Sequence, residues 1–408
     1  MAAAVATRES HGSLDSGKQG ETMKLAALWI LALGVLLPRP ATASGVASGP
    51  WPTSSDRPVE ALAHPSLESR IETLGDDMAA GFRLVLFGDQ RALADGEWQA
   101  MIDLILHRER RESPEGPLLA VIDTGDIVFD GRRSDQFHML TDILSPLAEF
   151  PYLVGVGNHE VKNNLDPVAR ENYLAFVNAS LGDELSTDRL YFRRDVGAVR
   201  MLFLDSNDLV YGADGERADD VEADARAREQ LRWLSEQLAE PEGQRRTLAF
   251  IHHPMLSSSK KHAAQGAKLW SLLHEGRTLP TILLEGGVDV VVSGHTHTYE
   301  RLRVTDASGH SLQLINVSGR PRNAVLWFGS GGRRARDIRG EEIEDLVDRG
   351  WKGLEGWKVE HLDAMLDDEE NQWAELRVSA GGEIRGEIYF LVDHGKDGFR
   401  GGGEFRLD

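Results

Sequence analysis

LLAVIDTGD, residues 118–126, opens with five consecutive apolar residues and closes on Asp-Thr-Gly-Asp. A short apolar run bounded by turn residues reads as a buried strand, and here a carboxylate stands where the strand stops. The same plan recurs on either side: FRLVLFG (82–88) precedes it, PYLVGVGN (151–158) follows, and TLAFIHH (247–253) and VDVVVSGH (288–295) repeat it further on. Between these strands, residues 94–112, 134–150 (interrupted by Pro146) and 223–239 have helical spacing, the last with Leu231, Leu234 and Leu238 on one face. RLYFRRD (189–195) and VRMLFLDSN (199–207) read as a strand pair. From Tyr299 the pattern is strand-like with Gly-rich turns, ending in WAELRVSA (373–380) and EIRGEIYFLVD (383–393). Alternating β and α units predict an α/β layered fold rather than a bundle or a pure sandwich.

The chain has 408 residues, and 45 Lys+Arg against 66 Asp+Glu give a formal net charge of −21. That balance argues against a nucleic-acid binder, whose affinity comes from basic residues that neutralise phosphates. An anionic substrate remains compatible with it if bound cations reverse the local field. Cysteine is absent, which removes disulfides, thiolate zinc sites, a cysteine nucleophile and a lipoprotein anchor.

Residues 1–22 are small and polar, and read as an upstream over-annotation or a disordered tail ahead of a start at Met23. Lys24, the apolar run Leu25 to Leu37 and Ala41-Thr42-Ala43 then follow the three-part plan of a secretory signal peptide over 23–43. The alternative is an N-terminal membrane anchor, although the run is short for a bilayer span. Signal cleavage near Ala43 predicts a secreted or periplasmic protein with no stable membrane span. Residues 44–80 read as a linker, 81–330 as the catalytic core, 331–372 as an acidic insertion or lid, and 373–408 as strands completing the core.

Five polar clusters sit where apolar strands end: Gly88-Asp89-Gln90, Gly125-Asp126, Gly157-Asn158-His159-Glu160, His252-His253-Pro254 and Gly294-His295-Thr296-His297. Ligands of open α/β sheets gather outside the carboxyl ends of the strands, so all five can converge on one crevice. Asp, Asn and His are the oxygen and imidazole donors that suit Zn, Fe or Mn. Two such ions about 3.5–4 Å apart can clamp a phosphoryl group and activate water for in-line ester hydrolysis. Each cluster alone has a plain structural reading. A strand-end Gly-Asp is commonly a turn, His159 can be a loop histidine, and His252-His253 a half-buried pair. Five in order make coincidence a poor explanation.

In this order the blocks resemble the calcineurin-like metallophosphoesterase superfamily, and GHTHTYER (294–301) is similar to its purple acid phosphatase branch. The resemblance runs from about Phe82 to about Arg301. It implies a four-layer αββα sandwich with two metal ions at the edge of the sheets. It further implies that Asp126 bridges both ions, that Asp89 and His297 serve the first, and that Asn158, His252 and His295 serve the second. His159 would be the general acid or phosphate contact, with Asn158 and His253 also facing substrate. His262 stands where this branch carries a substrate-facing histidine, although Lys260-Lys261-His262 also reads as a solvated loop.

Two positions depart from the pattern. Phe129 stands where the purple branch has a metal-ligating tyrosine, and Arg91 where other members have a histidine for the first ion. The first site thus keeps Asp89, Asp126 and His297, with Gln90 a possible helper. The leading expectation is a secreted or periplasmic phosphomonoesterase acting on small phosphorylated substrates. A phosphodiesterase for nucleotides or phospholipids, and a catalytically reduced metal- or phosphate-binding protein, remain as alternatives.

Overall fold

A computed structural model describes residues 57–92, 96–111, 116–163, 166–181, 185–211, 221–240, 245–259, 263–319, 336–364, 371–391 and 399–407. The signal peptide expected over 23–43 and His262 lie outside them. In the N-terminal half α1 (Leu67–Leu74) leads into β1 (Gly81–Phe87), α2 (Glu97–Arg111), β2 (Leu118–Asp123), α3 (Ser134–Leu144), β3 (Tyr152–Val154), α4 (Asn158–Val161) and α5 (Pro167–Leu181). Then come β4 (Phe192–Val196), β5 (Val199–Leu204), α6 (Ser206–Tyr211), α7 (Val221–Ala239), β6 (Arg246–Ile251) and α8 (Ala263–Ser271). A small hairpin, β7 (Leu273–His274) and β8 (Arg277–Thr278), precedes α9 (Leu279–Glu285), β9 (Val288–Ser293), β10 (Tyr299–Thr305) and β11 (Ser311–Val317). The chain closes with β12 (Arg336–Ile338), α10 (Glu341–Asp348), β13 (Lys358–Ala364), β14 (Gln372–Ser379), β15 (Ile384–Leu391) and β16 (Phe399–Leu407).

Two mixed sheets result. One has the order β16-β15-β14-β1-β2-β3, the other β12-β13-β10-β11-β9-β6-β5-β4. β1, β2 and β3 run parallel, as do β5, β6, β9 and β11. Alternation along the second sheet sorts its side chains to two faces. Met201, Phe203, Leu248, Phe250, Ile315 and Val317 pack in one cluster with Leu84, Leu86 and Ile122 of the first sheet. Leu202, Leu204, Ala249, Ile251, Leu312 and Leu314 instead join Leu231, Leu234, Trp270 and Leu283 of α7, α8 and α9. The first sheet is covered outside by α2, α3 and α5 through Met101, Ile105, Phe137, Leu140 and Tyr173. Helix, sheet, sheet, helix is the four-layer arrangement expected from the sequence. Among the described residues, no helix is long and apolar enough to cross a membrane.

Two stretches differ from their sequence reading. Part of the 44–80 linker folds: Ser66 caps α1 by accepting from the Ser69 N–H at 3.2 Å, and Leu62 and Leu67 enter the core. The Ser- and Pro-rich start of that stretch masked the short Leu67, Ile71, Leu74 spacing. Within the acidic excursion over 331–372, β12 and β13 belong to the second sheet, because β12 pairs with β13 and β13 pairs antiparallel with β10. Its acidic residues Glu341 and Glu344 lie outward, whereas Leu346, Trp351, Leu354 and Val359 are buried. Trp351 Nε1 donates to the Met255 carbonyl at 2.7 Å. Composition recorded the outer face and missed the inner one.

Candidate metal centre

Each parallel strand delivers its polar residues just past its carboxyl end, as the cluster positions predict. β1 leads to Asp89, β2 to Asp126, β3 to Asn158 and His159, β6 to His252, and β9 to His295 and His297. The loops are stitched to one another by backbone bonds: Asp89 N to Gly125 O at 2.8 Å, Arg91 N to Asp126 O at 2.9 Å, and Gly294 N to His252 O at 3.1 Å. Asp89, Arg91, Asp126, His295 and His297 all adopt left-handed φ, between 52° and 67°. Five non-glycine residues so strained at one locus fit the pattern in which strain collects at functional sites. His295 and His297 therefore do not project from one strand face. Each turns to a different group of donors.

Glycine serves close approach of loops here. A Cβ on Gly157 would lie 2.2 Å from Asp126 N, and one on Gly294 would lie 2.7 Å from Asp89 Oδ2. Neither neighbour is a flexible end that could move aside.

Four donors converge on one point. His252 Nε2 lies 3.2 Å from Asp126 Oδ1, 3.2 Å from Asn158 Oδ1 and 3.2 Å from His295 Nδ1. The ligand atoms of Asp126, His252 and His295 all fall within 4.8 Å of one another. Ligands about 2.0–2.2 Å from a single tetrahedral ion lie roughly 3.4 Å apart, so these separations fit a cation in their midst. His252 Nδ1 donates to the Thr124 carbonyl at 2.9 Å, which fixes the tautomer and leaves Nε2 as the lone-pair nitrogen. The residues expected for the second ion thus fit a metal.

The same crowding shows in proton affinity. Burial alone would push the His252 imidazole down, but the Asp126 carboxylate beside it, helped by Asp89 and Glu160, pushes it up to about 9. Asp126 is buried, which opposes its charge, yet His252, His159 and Arg91 hold it well below the usual carboxylate range. The cluster demands positive charge, as a proton or as a cation.

The donors expected for the first ion are also brought together, but with a companion. Arg91 Nη2 lies 3.1 Å from Asp126 Oδ2 and 3.0 Å from His297 Nε2. Asp89 is already engaged by protein donors: the His295 N–H at 2.9 Å and the Ser318 hydroxyl at 2.7 Å, both on Oδ2. Gln90 is buried with its amide against Gly319.

His159 is partly open, with its side chain 20% exposed. Its Nδ1 donates to the Phe129 carbonyl at 2.6 Å, so Nε2, 3.7 Å from Asp126 Oδ2, faces the centre. Asn158 and His159 continue into a cleft of about 310 Å³ lined also by Arg132, Lys162, Asn163 and Asp166. His253 is fully buried, bonded through Nδ1 to the Ser206 hydroxyl at 2.7 Å, with its ring 4.2 Å from that of His295.

Three contributors were missed by sequence reasoning. Glu160 accepts from the backbone N–H groups of Asp126, Gly157 and Val128. Burial and the neighbouring Asp126 charge push its carboxyl up to about 7. Ser318 reaches Asp89 from the end of β11, and Ser206 anchors His253. Glu160 was visible in the Gly-Asn-His-Glu block, whereas the two serines carry no local signal.

Comparison with known proteins agrees with this geometry. Purple acid phosphatase 21 of Arabidopsis thaliana is 29% identical over 214 residues, covering 50% of this chain and 44% of the relative. Purple acid phosphatase 22 of the same plant is 26% identical over 221 residues, covering 52% and 43%. The chain thus spans less than half the length of these curated relatives. The solved structure of purple acid phosphatase PPD1 isolated from yellow lupin (Lupinus luteus) seeds superimposes with a TM-score of 0.52 at 16% identity. That superposition covers 81% of this chain and 54% of the lupin chain, a likeness of fold. Residues 53–299, more than half the chain, match the profile of the calcineurin-like phosphoesterases, and the chain belongs to that family.

Proposed function

We propose that this protein is a metal-dependent phosphoesterase that hydrolyses small phosphate monoesters, the acid phosphatase-like reading of its sequence. The observation that carries it is the convergence of Asp126, Asn158, His252 and His295 on one point. A cation bound there would polarise a phosphoryl oxygen and acidify an attacking water. Of the two ions the sequence leads one to expect, this donor set supports the second, with Fe, Zn or Mn all compatible with its chemistry. At the place of the first, Arg91 stands among the donors.

The chain's own groups supply the rest. With Nδ1 committed to the Phe129 carbonyl, His159 Nε2 can carry a proton at the mouth of the cleft and pass it to the departing alkoxide as the P–O ester bond breaks. Water would add its oxygen to phosphorus on the other side and give up a proton to solvent, leaving alcohol and phosphate, and His159 would regain its proton from solvent. Arg132 and Lys162 line the cleft and favour an anion, although each is also drawn to Asp130, at 2.6 and 3.8 Å. The cleft volume suits a small ester. His253 acts through His295 by fixing its ring. His262 is retained only as a sequence-level candidate for a substrate contact.

The net charge of −21 agrees with a small-molecule rather than a nucleic-acid partner. The leader-like segment 23–43 supports action outside the cytoplasm. The test is turnover of p-nitrophenyl phosphate against bis-p-nitrophenyl phosphate, with and without added Mn, Zn or Fe. Metal-dependent monoester turnover is expected. Diester-only turnover would replace this reading by a phosphodiesterase, and silence with every metal by a binding protein.

A further inference from the structure

We propose that the guanidinium of Arg91 takes the place of the first cation, so that the centre holds a single ion. On this account Asp126, Asn158, His252 and His295 carry the ion, and a charge covalently tied to the chain sits on the other side of Asp126. The inference rests on the metal-dependent reading above.

Three observations support it. One guanidinium nitrogen, Arg91 Nη2, satisfies both Asp126 Oδ2 and His297 Nε2, at 3.1 and 3.0 Å. Those are the lone pairs a first ion would need, since Asp126 Oδ1 faces His252. Asp89, the third expected donor, has its Oδ2 taken by the His295 N–H and the Ser318 hydroxyl, which leaves Oδ1, 3.9 Å from His297 Nε2, as its more open oxygen. And the arginine is held in place. Its backbone N–H is bonded to Asp126 O at 2.9 Å, its φ is 58°, and its guanidinium lies 6.0 Å from the centre of the Phe129 ring.

The substitution has chemical consequences. Arginine stays charged at any working pH and is not removed by a chelator. It brings one positive charge where an ion would bring two or three, and it orients oxygens by donated hydrogen bonds. It supplies no Lewis acidity of its own, so activation of water falls to the single ion. Departures at Phe129 and Arg91 then form one change: the position that needs no metal needs no tyrosinate either.

Ion stoichiometry tests this without reference to activity. The full chain is loaded with excess Zn, Mn or Fe, exchanged into ion-free buffer, and its ions counted per chain by elemental analysis. One ion is expected for the wild type and two for Arg91→His, which adds an imidazole to Asp89, Asp126 and His297. Arg91→Ala, which vacates the position, should take up a second, weaker ion and guards against a misfolded histidine variant. Two retained ions in the wild type, or one in both folded variants, would overturn the proposal while leaving a metal-dependent enzyme. No retained ion in the wild type would remove the metal-dependent reading and the proposal with it.

Discussion

The backbone N–H of Asp126 donates to Glu160 Oε2 at 2.8 Å, tying the loop after β2 to the first turn of α4. The same oxygen accepts from Gly157 N at 2.8 Å, and Oε1 accepts from Val128 N at 3.1 Å. Glu160 is fully buried, so these three N–H groups have no water to fall back on. It therefore holds Asp126 in its left-handed conformation, with the carboxylate turned to the metal donors. Glu160→Gln replaces one acceptor oxygen by a donor NH2 that confronts a backbone N–H. A loss of about 2 kcal/mol is expected, the scale of a buried backbone donor left unsatisfied. Urea unfolding measures it, and an unchanged midpoint would rule out this role.

His252 and Asn158 contribute donors from opposite sheets, 3.2 Å apart. Removing either would take away a donor without touching the apolar core, because Asn158 opens α4 beyond β3 and His252 lies just past the end of β6. Asn158→Ala or His252→Ala should lower kcat for p-nitrophenyl phosphate by at least about 100-fold, the upper range of effects seen for groups that merely support a ligand. Circular dichroism should remain native-like. Turnover close to wild type after reconstitution with metal would refute these ligand assignments.

Much of this centre is legible in the chain because each donor directly follows an apolar strand. Asp89, Asp126, His252 and His295 follow β1, β2, β6 and β9 within three residues, so a strand reading places them at one edge. What could not be read is what faces what. Arg91 counts in the sequence only as a missing histidine; its position between Asp126 and His297 depends on a meeting of residues 206 positions apart. Ser318 reaches Asp89 across 229 positions. β13 escaped because its partner β10 lies beyond an intervening acidic stretch, and charge on one face concealed the buried face behind it.

Phe129 occupies the turn after Asp126, 44% exposed as a residue and with its ring 5.3 Å from that of His159. Phenylalanine has no oxygen to offer a metal. The iron-loaded protein should accordingly lack the visible absorption of a tyrosinate bound to ferric iron. A spectrum of the iron-reconstituted chain settles it. A strong visible band would mean that another tyrosine reaches the ion and that the role given to Phe129 is wrong.

Glu300, in the Gly-His-Thr-His-Thr-Tyr-Glu-Arg stretch but turned away from the donors, pairs with His361 Nε2 at 3.0 Å. It also accepts from the Ser257 hydroxyl and the Ser258 N–H, both at 3.0 Å. The pair is fully buried and joins β10 to β13. Burial opposes the Glu300 charge, but His361 and Ser258 outweigh it and hold the carboxyl below its ordinary 4.5. A carboxyl whose affinity for protons falls on folding stabilises the native state above its unfolded pKa. It loses that contribution as pH drops through the lower, folded value. Glu300→Gln should therefore lower the thermal midpoint at pH 7. The gap to the wild type should narrow once the pH falls below about the unfolded carboxyl value, as the wild type protonates. Thermal scans of both proteins between pH 7 and pH 3 decide the matter. A gap that holds its size below pH 4 would show that the pair contributes through packing rather than through charge.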